Sequence, residues 1–322
     1  MRLAIIGAGI MGTNHARIAR GLRDATVAYV VDPDAERAGR LATAIGAEAS
    51  TDIGDVLGHV DAAIVAVPSS LHRDIGLRLL KAGVPVLIEK PLATTVADAE
   101  ALAETAESLG VILMVGHVER FNPAVLELDQ LLGDVVHVAA ARISPYSPRV
   151  RDGVVTDLMI HDLDVIRSIA RCEVVDVSAM TMSVRSESAD LASALLRFEN
   201  GMTASLIASR VGQQKIRELR ITQADRFVSV DLVRQDVTIN RVEHSEFLSS
   251  EGARYRQSGV VEIPFLEAQG EPLLLELQEF VRAVSTGTPP KVGATDGVEA
   301  LRLVERVEAA ARLGSGPSGP SC

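Results

Sequence analysis

The chain has 322 residues, 47% of them hydrophobic and 23% charged, a composition typical of folded globular proteins. Its net charge of −11 argues against nucleic acid as the main partner, because binding to a phosphate backbone needs a basic surface. Two cysteines are too few for a disulfide framework, and no apolar run approaches the roughly 20 residues of a membrane span. With an N-terminus that reads as a strand and not as a signal peptide, these features predict a soluble cytoplasmic protein without a membrane partner.

Residues 1–118 alternate between short β-branched segments and segments with helical spacing. The predicted strands cover 3–6, 26–31, 61–67, 84–89 and 111–115, and the predicted helices cover 12–21, 34–45, 71–82 and 95–109. The strands are apolar throughout, which is typical of parallel sheets covered by helices on both faces. This alternation predicts an α/β Rossmann domain with a doubly wound parallel sheet.

Residues 119–313 have a different texture, with strands that follow one another without helices between them. The predicted strands cover 135–143, 174–182, 191–198, 203–210, 217–222, 226–232 and 237–242, and the predicted helices cover 122–132, 155–170, 271–285 and 295–312. This order predicts an α+β C-terminal domain with an open, mainly antiparallel sheet. The Gly-, Ser- and Pro-rich tail at 314–322 is predicted to be disordered.

A glycine motif follows the first strand and opens the first helix, Gly7-Ala8-Gly9-Ile10-Met11-Gly12. This G-x-G-x-x-G pattern in this setting predicts a dinucleotide site, with the pyrophosphate on the helix N-terminus. Asp32, at the end of the second strand, would accept hydrogen bonds from a ribose and repel a 2′-phosphate, which favours NAD over NADP. Arg37 keeps NADP open, and a helix N-cap is the structural alternative for Asp32.

Two later segments also end predicted strands at the carboxyl edge, where ligands of such sheets bind. Val67, Pro68 and Ser69 end the predicted strand at 61–67, and His72 follows as either a cofactor neighbour or a structural histidine. Glu89-Lys90-Pro91 ends the predicted strand at 84–89 and is predicted to contact the cofactor. Lys90 is one of only four lysines among 32 basic residues, and repulsion from a nicotinamide cation would lower the pKa of its amine toward a useful range. An ion pair is the structural alternative for Lys90.

A carboxylate and an imidazole share a predicted helix in Asp157-Leu-Met-Ile-His161. Residues four apart lie on one face of a helix, so the pair could act as an oriented general base. A structural salt bridge explains the same spacing equally well. Two ligands on one helix make a weak metal site, and no metal is predicted.

These motifs occur in one order along the chain, with Gly116-His117 and Arg120-Phe121-Asn122-Pro123 between the lysine and the helix. Together they resemble the Gfo/Idh/MocA family of oxidoreductases, over residues 1–312. The resemblance implies a Rossmann domain, a C-terminal domain often used for homodimer or homotetramer formation, and oxidation of a ring secondary alcohol by a nicotinamide cofactor. It implies that Lys90, Asp157 and His161 surround the reacting hydroxyl, with His117, Arg120 and Asn122 also near the substrate.

Within the family, the segments around residues 115–123 and 157–164 are most similar to the UDP-N-acetylglucosamine 3-dehydrogenase branch. That similarity implies oxidation at C3 of a UDP-N-acetylhexosamine. Arg142, Arg149 and Arg151 could bind its diphosphate, or could be surface charge. Two alternatives remain open: an inositol or free-hexose dehydrogenase, and a dinucleotide-binding regulator without catalysis.

Overall fold

The computed structural model describes residues 1–148, 152–249 and 252–314. The chain divides into two compact units, of which the first contains 1–121 and 270–302 and the second contains 122–269 and the chain from Leu303 onward. The boundary predicted after residue 118 therefore lies close to the observed one. The difference is that residues 270–302, predicted within the C-terminal domain, return to the first unit. The predicted tail lies outside the described residues except for Gly314.

The strands and helices have the following bounds. The strands are β1 (Arg2–Ile6), β2 (Thr26–Val31), β3 (Glu48–Ser50), β4 (Ala62–Val65), β5 (Val86–Glu89), β6 (Leu113–Gly116), β7 (Val135–Ile143), β8 (Val174–Met182), β9 (Leu191–Phe198), β10 (Thr203–Ser209), β11 (Ile216–Gln223), β12 (Phe227–Asp231), β13 (Asp236–Ser249) and β14 (Gly252–Glu262). The helices are α1 (Ile10–Ala19), α2 (Ala35–Ile45), α3 (His72–Lys81), α4 (Val96–Leu109), α5 (Pro123–Leu126), α6 (Leu128–Leu131), α7 (Ile160–Ala170), α8 (Pro272–Thr286) and α9 (Ala294–Gly314).

The first unit is built on a six-stranded sheet in the order β3-β2-β1-β4-β5-β6, and all its pairings are parallel. The residues of β4, β5 and β6 are all buried, as their apolar sequences predict. The prediction of a doubly wound Rossmann sheet is confirmed. Successive strands are added on one side of β1 up to β3 and on its other side from β4 onward. Dinucleotides bind at the carboxyl ends of the strands at this switch point, between β1 and β4.

The second unit is built on an eight-stranded sheet in the order β14-β13-β12-β11-β7-β10-β9-β8. Its pairings are antiparallel except for the parallel pair β7 and β10, which confirms the predicted mainly antiparallel sheet. Burial alternates along β9 and β10, so one face of these strands packs into the core and the other is open. The hairpin of β13 and β14 extends well beyond the predicted strand at 237–242, because its polar and charged residues lack the apolar alternation that marks a strand.

Two predicted helices of the second unit differ in detail. The helix predicted over 122–132 is divided at Glu127 into α5 and α6. The helix predicted over 155–170 begins with a π-helical turn, Val155–Met159, and continues as α7. Within the described ranges, no helix combines the length and hydropathy needed to cross a bilayer.

Candidate active site

The glycine motif forms the turn from β1 into α1, and a different structural constraint applies at each of its three glycines. Gly7 has a φ of +102°, and a Cβ at Gly12 would lie 1.8 Å from the carbonyl oxygen of Gly7. A Cβ on Gly9 would have no atom within 4 Å. The helix that follows starts at Ile10 without a side-chain cap. Gly9 therefore leaves open space at an uncapped helix N-terminus, next to Ile10 and Met11, which is the arrangement that a pyrophosphate needs.

Asp32 lies buried at the carboxyl end of β2, beside this turn. Its Oδ2 accepts a hydrogen bond from the N–H of Ala8 at 2.8 Å, and its Oδ1 accepts one from the N–H of Asp34 at 3.0 Å. The N-cap of α2 is Asp34, which accepts from the N–H of Arg37, so the N-cap alternative for Asp32 is wrong. Each carboxylate oxygen has two lone pairs, so Asp32 can still accept from ribose hydroxyls.

Arg37 lies close to both of these carboxylates. Its guanidinium is 4.0 Å from Asp32 and 3.6 Å from Asp34, and its side chain is about half exposed. A guanidinium held near two carboxylates is less available to a 2′-phosphate than a free one. The structure thus gives Arg37 a charge partner on each side, while its predicted cofactor contact stays a prediction.

His72 links the chain segments that follow β4 and β5. Its ring nitrogens lie 2.8 Å from the carbonyl oxygen of Pro91 and 3.0 Å from that of Val67. Burial lowers the pKa of His72, and the two carbonyl contacts act in the opposite direction. His72 is almost fully enclosed, so these contacts give it a structural role, and its predicted cofactor contact stays a prediction. Pro68 and Ser69 lie between β4 and α3, as predicted.

Glu89 turns away from the carboxyl edge into the interior of the first unit. Its Oε1 lies 2.7 Å from Nε2 of His15, and a Cβ on Gly116 would lie 3.2 Å from its Oε2. One oxygen of the Glu89 carboxylate is thus engaged with α1, and its predicted cofactor contact stays a prediction. Lys90 follows directly at the end of β5 and is partly exposed, and its peptide bond to Pro91 is cis.

The predicted substrate residues that follow β6 are buried. His117 comes directly after the strand, and Arg120 lies in the short turn at 118–121 with Nη1 3.9 Å from Oδ1 of Asp296. Asn122 caps α5 by accepting from the N–H of Ala124, and its amide donates to the carbonyl of Leu232 at 2.9 Å. Both ends of the Asn122 amide are thus engaged by the chain, which gives it a structural role, and its predicted substrate contact stays a prediction.

The predicted diphosphate arginines have two different outcomes. The Arg142 side chain is buried, and its guanidinium binds Asp162 with Nε at 2.9 Å from Oδ2 and Nη2 at 2.7 Å from Oδ1. A bidentate pair of this kind is a strong, directional contact, so the predicted role of Arg142 at a diphosphate is corrected to a structural one. Arg149 and Arg151 lie outside the described residues.

Asp157 lies in the π-helical turn and His161 in the first turn of α7, and both are partly exposed. The turn that contains Asp157 is wider than an α-helical turn, so the spacing of this pair differs in detail from that of an i, i+4 pair in an α-helix. π-Helical turns inside helices are frequent at functional sites. Asp164, further along α7, is fully buried.

Comparisons with known proteins agree with this geometry. Residues 1–117 match the oxidoreductase family with an NAD-binding Rossmann fold, and residues 128–223 match the GFO/IDH/MocA C-terminal domain. The chain is 32% identical to the UDP-N-acetylglucosamine 3-dehydrogenase of Acidithiobacillus ferrooxidans, over 94% of each chain. The chain belongs to the GFO/IDH/MocA family. It is therefore a dehydrogenase of the oxidoreductase class.

Other members of the GFO/IDH/MocA family are also similar. The myo-inositol 2-dehydrogenase of Thermotoga maritima is 28% identical over 94% of each chain. A solved structure of the Acidithiobacillus ferrooxidans 3-dehydrogenase superposes with a TM-score of 0.87 at 31% identity, and the match covers 97% of this chain and 98% of that one.

Sequence reasoning missed two residues of this GFO/IDH/MocA chain that lie beside Glu89. His15 on α1 and Glu276 on α8 are both fully buried. The sequence does contain one indication of this buried group. Glu276 interrupts the apolar run Leu273-Leu-Leu-Glu-Leu277 of a predicted helix. Titratable side chains are rarely buried without a specific reason.

Proposed function

We propose that this chain is an NAD-dependent dehydrogenase of a nucleotide sugar, acting at C3 of a UDP-N-acetylhexosamine. The observation that carries the proposal is the 32% identity to a UDP-N-acetylglucosamine 3-dehydrogenase over 94% of both chains. Three inositol dehydrogenases match over 94–95% of the chain at 27–28% identity, and three others match over 55–63% of it at 33%, so an inositol is the second candidate substrate.

The cofactor proposal rests on the first unit alone. The open space at Gly9 and the uncapped start of α1 fit a pyrophosphate, and the buried carboxylate of Asp32 fits an adenosine ribose. Asp32 would repel a 2′-phosphate, and Arg37 is held near two carboxylates, so we favour NAD over NADP. When bound, the nicotinamide supplies the hydride acceptor.

The acid–base chemistry is assigned to Lys90, Asp157 and His161. Oxidation of a secondary alcohol removes a hydride from carbon and a proton from the hydroxyl group. Lys90 or His161 takes the proton, and Asp157 orients the imidazole and stabilises its charged form. The positions of Lys90 at the carboxyl end of β5 and of His161 beside a π-helical turn support these roles.

The test is turnover with NAD and a panel of UDP-N-acetylhexosamines, free hexoses and inositols, followed by NADH absorbance. We expect UDP-N-acetylglucosamine or a close relative to be oxidised fastest, and Lys90→Ala and His161→Ala to lower kcat by orders of magnitude while NADH still binds. Lys81→Ala, on the exposed end of α3, is the matched control and should be unchanged. Faster oxidation of an inositol would move the substrate to that class, and NADH binding without any turnover would favour a regulator.

We also propose that the open face of the C-terminal sheet joins two or more copies of the chain. Met180, Leu195 and Ile207 are exposed on this face, around a shallow groove of about 520 Å³ that is also lined by Glu218 and Arg220. A patch that carries both charge signs beside apolar side chains suits the self-complementary contact of a two-fold dimer. Leu195→Arg should shift the mass measured by light scattering toward the monomer, whereas Leu109→Arg, exposed on α4, should not. A monomeric wild-type protein would contradict the proposal.

A further inference from the structure

Three buried titratable side chains meet inside the first unit, and the dehydrogenase chemistry proposed above uses none of them. They are His15 on α1, Glu89 at the end of β5 and Glu276 on α8, with 0%, 7% and 0% of their surface exposed. One ligand atom from each lies within 4.8 Å of the others. His15 and Glu89 are hydrogen-bonded at 2.7 Å. Among the described residues, neither carboxyl oxygen of Glu276 has a hydrogen-bond partner.

If Glu89 and Glu276 are both ionised, the cluster carries two negative charges, and His15 can supply at most one positive charge. A buried carboxylate without a partner is very costly, and a second carboxylate beside it raises the cost further. Burial and the charge of Glu89 accordingly raise the pKa of Glu276 well above its ordinary value.

The surrounding charged groups come from every element packed against α8 and the cluster. The turn at 118–121, which packs against α8, carries Glu119 and Arg120. α1 contributes His15, and the buried His72 on α3 is close enough to Glu89 to respond to its charge. Of these groups, Glu89 is the one whose charge raises the pKa of Glu276.

The distances favour a bound proton over a bound metal ion. Two ligands that each lie about 2.1 Å from a tetrahedral zinc ion are roughly 3.4 Å apart. The 2.7 Å between His15 and Glu89 is instead the length of a charge-assisted hydrogen bond. A proton on Glu276 removes the excess charge without disturbing that bond.

The cluster lies between two parts of the cofactor-binding unit. His15 is on the helix whose first residues form the glycine turn, and Glu89 directly precedes Lys90. On the other side of Lys90, the carbonyl oxygen of Pro91 lies 2.8 Å from the ring of His72. The buried side chains of Glu89 and His72 thus fix the backbone on both sides of Lys90. Glu89 also links this backbone to α1, because it is hydrogen-bonded to His15.

We propose that Glu276 is a proton-binding positioning residue, whose neutral carboxyl group allows the pair of His15 and Glu89 to hold Lys90 and the glycine turn in place. Loss of the proton puts a second negative charge beside Glu89 and loosens that pair. The consequences for Lys90 and for cofactor binding rest on the proposed function, whereas the proton site does not.

The first experiment measures the free energy of unfolding against pH. A group that binds its proton more tightly in the folded state lowers the free energy of unfolding as pH rises above its unfolded pKa, which is about 4.3 for Glu. The unfolding constant then increases about tenfold per pH unit until the group ionises in the folded state as well. Glu276→Gln does not titrate, so this part of the pH dependence should disappear. Glu271→Gln is the matched control, because it removes an exposed ion pair with Arg17 that joins the same two helices, and it should keep the alkaline slope.

The second experiment separates positioning from plain structure by measuring NADH binding by fluorescence. If the competent state needs the proton, the apparent Kd of the wild type rises about tenfold per pH unit above the ionisation of Glu276. In Glu276→Gln this rise should be absent. An unchanged rise in the variant would overturn the positioning role. NADH binding needs no sugar, so this result is independent of whether the proposed substrate is correct.

A direct readout of the proton completes the test. The infrared difference spectrum between wild type and Glu276→Gln at pH 7 should contain the C=O stretching band of a protonated carboxyl group, which disappears at alkaline pH together with the stability transition. Absence of the band at pH 7 would overturn the proposal. So would a stoichiometric divalent metal ion in the purified wild type that is lost in Glu276→Gln.

Discussion

Substitution of Gly9 by alanine separates cofactor binding from folding. Gly9 has ordinary extended backbone angles, φ −76° and ψ −162°, and its added Cβ meets no atom within 4 Å. Alanine is a poorer N-cap than glycine, so we expect a loss of no more than about 1 kcal/mol of folding free energy. The same Cβ occupies the space proposed for the pyrophosphate. Loss of one charge-assisted hydrogen bond to a phosphate costs about 2 kcal/mol, which is about 30-fold in the Kd for NADH.

Two other glycines supply the matched comparisons for this variant. A Cβ at Gly12 would lie 1.8 Å from the backbone oxygen of Gly7, which cannot move independently, so Gly12→Ala should destabilise the first unit by about 3 kcal/mol or more. Gly39 is partly exposed in α2 with no atom near its Cβ position, so Gly39→Ala should gain about 0.5–1 kcal/mol in folding free energy and bind NADH normally. Urea unfolding and NADH fluorescence titration measure both quantities. A Gly9→Ala protein that binds NADH as well as wild type would refute the assignment of this space to a phosphate.

Three further predictions follow from contacts of single carboxylates. Asp32→Asn removes the charge that repels a 2′-phosphate while keeping an acceptor for the N–H of Ala8, so the ratio of the Kd values for NADH and NADPH should shift toward NADPH by about tenfold; an unchanged ratio would exclude Asp32 from cofactor selection. Asp162→Asn removes the carboxylate charge that pairs with the buried guanidinium of Arg142 and should cost about 3–5 kcal/mol in urea unfolding; a cost below 1 kcal/mol would contradict a structural role for this pair. Asp190 accepts three backbone N–H bonds, which lower its pKa, so Asp190→Asn should be less stable at neutral pH and the difference should shrink as pH falls below about 4; a difference that grows with acidity would show the opposite sign of linkage.

Local patterns were enough to predict the elements and the glycine turn. The apolar segments of β1, β4 and β5 are buried on both faces, and burial alternates with a period of two along β9. These features depend on which residues are buried away from water, and the hydrophobicity of each residue indicates this without knowledge of its tertiary contacts. The short β3 and the long hairpin of β13 and β14 were missed or shortened because their sequences are polar, and pairing with neighbouring strands decides them.

The roles of individual polar side chains depended on contacts between residues far apart in sequence. The sequence placed Glu89, His72 and Asn122 among the ligand-binding residues because they lie near the right strand ends. In the structure Glu89 bonds to His15, 74 residues away, and Asn122 bonds to Leu232, 110 residues away. The sequence by itself determined the Rossmann sheet, the glycine turn and Lys90 at the end of β5, because these depend on local spacing and burial. Only the tertiary structure decided which of the neighbouring polar groups satisfy one another in the interior, since a buried polar group takes whatever partner the fold brings within hydrogen-bond distance.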